Sequence, residues 1–132
     1  MDNKPKIQSL TPKEALSLCE KGAIMLDIRD EYLHAYKYFD VAKNINVPFE
    51  ELEEKLSDLS KEDTYIIADS TGINCRDASV IMLRKGFSKI FILGGGFVEW
   101  EKGGMPFIHN INERLSGECA CMLKQRQKGK KN

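Results

Sequence analysis

Short apolar runs alternate with amphipathic stretches along most of this 132-residue chain. Residues 23–28, 65–68 and 89–93 are apolar on both faces, which is typical of strands buried inside a parallel sheet. The segments between them have the spacing of helices that cover such a sheet. We therefore predict an α/β fold with a mostly parallel central sheet flanked by helices.

The helix boundaries are marked by local signals. Thr11 supplies an N-cap, Pro12 occupies the first helical position and Glu14 completes a capping box, so a helix is predicted from there to Gly22. Cys19 lies on the apolar side of that helix and is assigned to the core. Further helices are predicted over residues 31–39, 49–59 and 74–85 and around residue 100, and short strands over residues 7–10 and 44–48.

Composition and charge narrow the class of protein. Apolar residues make up 42% of the chain and charged residues 30%, which is ordinary for a soluble globular protein. No apolar run approaches the roughly 18 residues that a membrane span needs, and no signal peptide precedes the first strand. We expect a cytoplasmic protein with reduced thiols, and neither a membrane nor a specific nucleic acid as partner.

The periodicity fades near His109, so we assign residues 1–108 to one domain and residues 109–132 to a C-terminal extension. The extension contains the thiol pair Cys119 and Cys121, and its basic end is expected to be disordered. A single CxC pair lacks the four ligands of a structural metal site, so no metal and no cofactor are predicted. The basic residues of the extension are Lys124, Arg126, Lys128, Lys130 and Lys131.

A polar loop joins the third apolar run to the following helix. A strand, a glycine-containing loop and a helix N-terminus in this order direct backbone N–H groups toward one anionic centre. The sequence therefore predicts a ligand-binding loop, and the ligand is expected to be an unknown protein partner or a small sulfur-containing or anionic molecule. The loop consists of Asp69, Ser70, Thr71, Gly72, Ile73, Asn74 and Cys75.

The order of four motifs resembles the rhodanese-like domain family over residues 7–108. A strand ends in Asp27-Ile28-Arg29, and Asn46-Val47-Pro48 precedes a helix. Gly72 follows three residues after Asp69, and the run from Leu93 to Trp100 is followed by Gly104-Met105-Pro106. The resemblance implies a three-layer α/β/α domain of the kind found in thiosulfate and persulfide sulfurtransferases.

The resemblance also shows where this chain departs from the family. Rhodaneses cycle one cysteine between thiolate and persulfide while loop N–H groups stabilise the anion. Asp69 stands at that cysteine's position, Asn74 replaces the loop arginine, and Cys75 occupies a place where serine is usual. A carboxylate cannot form a persulfide, and its charge opposes the approach of thiosulfate.

Two functions remain open at this point, so the sequence leaves undecided whether the protein is an enzyme. One is a non-catalytic or regulatory binding module linked to sulfur metabolism. The other is a sulfurtransferase that carries a persulfide on a relocated thiol, either Cys75 or the Cys119/Cys121 pair. Cys75 is a candidate because a helix N-terminus and Arg76 are expected to lower its pKa. Asp27, Arg29 and Arg76 are the predicted supports of the pocket wall.

Overall fold

The computed structural model describes residues 7–110. A central sheet of five parallel strands has the order β1-β6-β5-β2-β4, and two further strands, β3 and β7, form a separate antiparallel pair. The predicted α/β fold with a mostly parallel sheet is therefore confirmed. The strands are β1 Ser9–Leu10, β2 Ile24–Asp27, β3 Lys37–Phe39, β4 Asn44–Asn46, β5 Tyr65–Ala68, β6 Ile90–Leu93 and β7 Phe107–His109.

Helices cover both faces of the central sheet. Leu52 and Met82 belong to the hydrophobic cluster on one face, and Phe97 and Trp100 belong to the cluster on the other. Both clusters contain fully buried strand residues, which gives the three layers their common core. The helices are α1 Pro12–Glu20, α2 Glu31–Tyr36, α3 Leu52–Lys55, α4 Cys75–Arg84 and α5 Gly96–Lys102.

The start of α1 follows its sequence signals closely. The backbone N–H of Thr11 donates to the Glu14 carboxylate at 2.9 Å, and the Glu14 N–H donates to the Thr11 hydroxyl at 3.1 Å. This is the predicted capping box. Cys19 is 3% exposed, and burial, followed by the nearby Glu20 charge, raises its pKa to about 11. Cys19 is therefore a core residue, as predicted.

Two predicted helices differ from the structure. The helix expected over residues 31–39 ends at Tyr36, and the chain continues as β3, which pairs with β7 in the register Lys37↔His109 and Phe39↔Phe107. The helix expected over residues 49–59 consists of a short α3 between two 3-10 turns. In the first case a long-range strand pairing overrides local helix propensity.

Within residues 7–110, none of the helices combines the length and the apolar character that crossing a bilayer demands. Cys119, Cys121 and the basic residues predicted to form the charged end of the extension lie outside the described residues.

Candidate functional site

Two buried carboxylates lie side by side at the carboxyl edge of the central sheet. Asp27 is the last residue of β2, and Asp69 follows directly after β5. The parallel register pairs Asp27 with Ala68, so the two strands end at the same level. Ligand sites of open α/β sheets lie at this edge, which makes it the candidate functional region.

The loop after β5 is folded around the carboxylate of Asp69. That side chain is 5% exposed, and each of its oxygens accepts a backbone N–H: one from Gly72, the other from Asn74 at 2.8 Å. Gly72 has a φ of +100°, a conformation that residues with a Cβ rarely adopt. The predicted cradle of N–H groups is present, and the chain's own carboxylate accepts the bonds.

The N-terminus of α5 holds the backbone of this loop in place. The N–H of Phe97 donates to the carbonyl of Asp69 at 2.8 Å, and the N–H of Val98 donates to that of Ser70 at 3.1 Å. The approach requires glycine at position 96, where φ is +63° and a Cβ would lie 2.4 Å from the Asp69 carbonyl oxygen. Two helix N-termini, those of α4 and α5, thus converge on residues 69–74.

Asp27 is the centre of a buried ionic network. Arg29 donates to its carboxylate through Nε at 2.9 Å and Nη2 at 2.8 Å, and Nδ1 of His34 lies 2.8 Å from the same carboxylate. Burial alone would raise the pKa of Asp27, but the hydrogen bonds from His34 and Arg29, together with the guanidinium charge, outweigh it and hold that pKa below its ordinary value. The predicted pairing of Asp27 with Arg29 is present.

The Arg29 guanidinium makes further contacts within this network. Its Nη2 also donates to the Lys37 carbonyl at 2.6 Å, and its centre lies 4.4 Å from the centroid of the Phe97 ring. Arg29 therefore joins β2, the start of β3 and α5 behind the site.

His34 is the residue of this region that the sequence did not connect to the site. It lies on α2, seven positions after Asp27, and its ring also stacks on Tyr38 with a centroid distance of 5.5 Å. No local sequence pattern predicts the contact between His34 and Asp27, because it depends on how α2 folds back over the end of β2.

A pocket of about 320 Å³ opens beside the Asp69 loop. Five of the seven predicted loop residues line it, and only Gly72 and Cys75 do not. Most of the predicted ligand-binding loop therefore borders one cavity. Residues from the end of β2, from α2 and from the turn at Phe49 complete the wall. The lining residues are Ile28, Arg29, Asp30, Leu33, Phe49, Glu50, Asp69, Ser70, Thr71, Ile73 and Asn74.

The expectation of a lowered pKa at Cys75 is wrong. Cys75 does begin α4, but its side chain is fully buried and its Sγ–H donates to the Ile67 carbonyl at 3.5 Å. Burial and the negative charge of the adjacent Asp69 raise the pKa of the thiol, and they outweigh the helix N-terminus. Cys75 does not line the pocket.

The predicted support by Arg76 is also not what the structure shows. Arg76 is exposed on the first turn of α4 and is absent from the pocket wall. Its backbone carbonyl accepts the Ser79 hydroxyl at 2.7 Å, within α4. The pocket supports are therefore Asp27 and Arg29, with His34 added. Over the described part of the chain, no group of three or more metal-ligating side chains is assembled.

Comparison with known proteins places the chain in a family. The Rhodanese-like domain family matches residues 11–103. The chain therefore belongs to the rhodanese-like domain family, which confirms the resemblance read from its motifs.

Sequence relatives include proteins named thiosulfate sulfurtransferase GlpE. The one from Actinobacillus pleuropneumoniae is 29% identical over 98 residues, which is 74% of this chain and 89% of the relative. The one from Haemophilus influenzae is 27% identical over 103 residues, which is 75% of this chain and 92% of the relative.

Solved structures agree with the fold. A rhodanese-related protein from Thermoplasma volcanium superposes with a TM-score of 0.67 at 25% identity and covers 76% of this chain and 96% of its own. A rhodanese-like domain from Anabaena has a TM-score of 0.70 at 23% identity, with coverage of 83% and 84%, and supports the fold alone.

Proposed function

We propose that this protein is a binding module of the rhodanese-like family, linked to sulfur metabolism, that does not perform cysteine-based sulfur transfer at residue 69. One observation carries the proposal. The Asp69 carboxylate already accepts the N–H groups of Gly72 and Asn74. In the rhodanese mechanism such loop N–H groups stabilise the sulfur anion on a cysteine, so here the chain's own side chain takes that place.

Electrostatics supports the same conclusion. Two like charges about 4 Å apart repel by roughly 4 kcal/mol at an effective dielectric constant near 20. Thiosulfate is a dianion, and the only arginine that lines the pocket is already paired with Asp27. An anionic sulfur donor would therefore meet a repulsive site without a free counter-charge among its lining residues.

The rival function, sulfur transfer through a relocated thiol, loses support at Cys75. A thiol must be exposed and ionised to attack a sulfur donor, and Cys75 is fully buried with a raised pKa. The rival function consequently depends on Cys119 and Cys121, outside residues 7–110.

Mass spectrometry after incubation with thiosulfate or polysulfide distinguishes the two functions. We expect no one-sulfur adduct that cyanide can remove as thiocyanate, and peptide mapping assigns any adduct to its thiol. A removable adduct on Cys119 or Cys121 that disappears in a Cys119→Ser/Cys121→Ser variant would contradict the proposal and identify a sulfurtransferase with a relocated nucleophile.

Restoring a cysteine by Asp69→Cys tests how much of the family's chemistry the loop retains. We expect the variant to acquire a persulfide from thiosulfate, because the loop N–H groups remain, but to show little turnover, because Asn74 stands where the family has an arginine. The double variant Asp69→Cys/Cys75→Ser is the matched control, since it removes the neighbouring thiol. High turnover in either variant would contradict the view that the loop has lost catalytic competence.

A further inference from the structure

The pocket beside Asp69 is lined by more acidic than basic side chains. Three carboxylates line it, from Asp30, Glu50 and Asp69, and Arg29 is the only basic residue among its lining. The Arg29 guanidinium is neutralised by Asp27 at 2.8 Å and lies against Phe97. The lining therefore presents excess negative charge.

Asp69 contributes a charge that no basic side chain within residues 7–110 pairs with. Its carboxylate is buried and is bonded to two neutral N–H groups, one on each oxygen. A carboxylate has about four acceptor sites, so acceptor capacity remains on both oxygens. No salt bridge to Asp69 occurs over the 7–110 span of the structure. A buried anion in this state favours a cation in the adjoining cavity.

The rest of the wall combines four apolar residues with the uncharged polar residues Ser70, Thr71 and Asn74. Ile28, Leu33, Phe49 and Ile73 line the pocket together with the carboxylates, and the Ile73 side chain is 77% exposed at the loop. Phe49 adds an aromatic ring, which attracts cations through its face. A volume of about 320 Å³ is at the small end of ligand pockets and suits a small molecule or one long side chain.

Building on the proposed function, we propose that this pocket binds an ammonium or guanidinium group carried on a short apolar stem. The charged end is placed against Asp69, with Glu50 and Asp30 at the wall, and the stem contacts the apolar residues. The sequence led us to expect a protein partner or a small sulfur-containing or anionic molecule, and the charge balance of the pocket favours a cationic group among these possibilities. The source of the group is either a free alkylamine or a basic side chain, including those at residues 124–131 of this chain.

Titration of the full-length, ¹⁵N-labelled chain with butylammonium chloride tests the proposal. We expect saturable shifts of the backbone amide signals of residues 69–74, and no such shifts with sodium thiosulfate or with neutral butanol. The dissociation constant for butylammonium should increase about tenfold in Asp69→Asn, because a hydrogen bond to a charged group is lost.

Glu50→Gln keeps the test valid if Asp69→Asn fails to fold. Glu50 is exposed, so the substitution should leave the fold intact while weakening butylammonium binding about two- to fivefold. Glu53→Gln is the matched control: Glu53 is also exposed, lies three residues away and does not line the pocket, so it should bind as the parent does.

The two sources are separated by replacing Lys124, Arg126, Lys128, Lys130 and Lys131 with Gln in the full chain. If the chain's own basic side chains fill the pocket, this variant should bind butylammonium severalfold more tightly than the parent. If a free amine is the ligand, binding should be unchanged. Either result is consistent with a cation site.

The proposal is overturned if thiosulfate gives saturable shifts at residues 69–74 and butylammonium gives none. It is also overturned if butylammonium binds equally well to the parent, Asp69→Asn and Glu50→Gln. Failure of the proposed function would appear separately, as a cyanide-removable sulfur adduct in the mass measurement.

Discussion

The carboxylates of Asp27 and Asp69 occupy neighbouring strand ends, yet their surroundings are opposite. Asp27 is bonded to the Arg29 guanidinium and to the His34 ring, so its charge is matched by a cation. Asp69 accepts two backbone N–H groups and forms no salt bridge with any other residue between 7 and 110. Both side chains are nearly inaccessible to solvent. Burial by itself therefore does not separate a structural carboxylate from a functional one.

The difference lies in whether the charge is balanced. A buried ion pair is costly to break because the remaining partner keeps its desolvation penalty. A carboxylate that accepts only N–H groups keeps an unbalanced charge, which is available to a ligand. We interpret the Asp27 network as the structural support of the site and Asp69 as the side chain that interacts with a ligand.

Asp27→Asn should give the largest effect, because it leaves the Arg29 guanidinium buried without a counter-charge. We expect the free energy of unfolding at neutral pH to fall by about 3 to 5 kcal/mol. Urea denaturation measures this value, and Asp40→Asn is the control, since Asp40 is exposed. A loss no larger than that of the control would show that the network does not stabilise the fold.

The same variant has a predicted pH dependence. The folded-state pKa of Asp27 is below its ordinary value, so the carboxylate stabilises the fold above the unfolded-state pKa of about 3.9. This stabilisation is lost as the pH falls through the lower, folded-state pKa. The difference between parent and Asp27→Asn should therefore shrink in acid. A difference that stays constant down to the acid transition would contradict the linkage.

Gly96→Ala should give the next largest loss of stability, and it acts on the loop that contains Asp69. A methyl group at this position would collide with the carbonyls of Asp69 and Ser70, and the backbone has a positive φ. We expect a loss of about 2 to 4 kcal/mol in the free energy of unfolding. Gly104→Ala is the matched control, since Gly104 has φ +76° with open space around it. Equal losses in both variants would mean that the approach of α5 to the loop adds nothing beyond the φ penalty.

The parts of this molecule that the sequence predicts are those fixed by local signals. The capping box at Thr11 is satisfied within three residues, and Asp69 accepts N–H groups from its own loop. The strand, loop and helix around Asp69 follow one another in the chain, so their apolar pattern and glycine suffice to locate the candidate site.

The parts that the sequence did not predict depend on distant contacts. β3 exists because β7, about seventy residues later, supplies its hydrogen-bond partners. The contact of His34 with Asp27 requires α2 to fold over the end of β2. The raised pKa of Cys75 reflects burial that only the assembled core provides, whereas the helix N-terminus was visible in the sequence.

His34→Phe should have a smaller effect than either preceding substitution. The phenyl ring can still stack on Tyr38, but the donor to Asp27 is lost. We expect a loss of about 1.5 kcal/mol at neutral pH. Because the His34 hydrogen bond lowers the pKa of Asp27, its removal should also move the acid unfolding midpoint to higher pH. An unchanged acid midpoint would assign His34 a packing role only; Tyr38→Leu controls for the loss of stacking.

Asp69→Asn should have the smallest effect on stability, and it repeats at the second carboxylate the chemical change made at Asp27. The amide oxygen can still accept one loop N–H, and removing a buried charge without a counter-ion offsets the loss of the other bond. We expect the free energy of unfolding to change by no more than about 1 kcal/mol in either direction. Urea denaturation of the two Asn variants under identical conditions gives the comparison directly. A loss at Asp69 as large as that at Asp27 would mean that both carboxylates serve the fold, whereas a near-neutral result leaves the Asp69 charge free to act on a ligand.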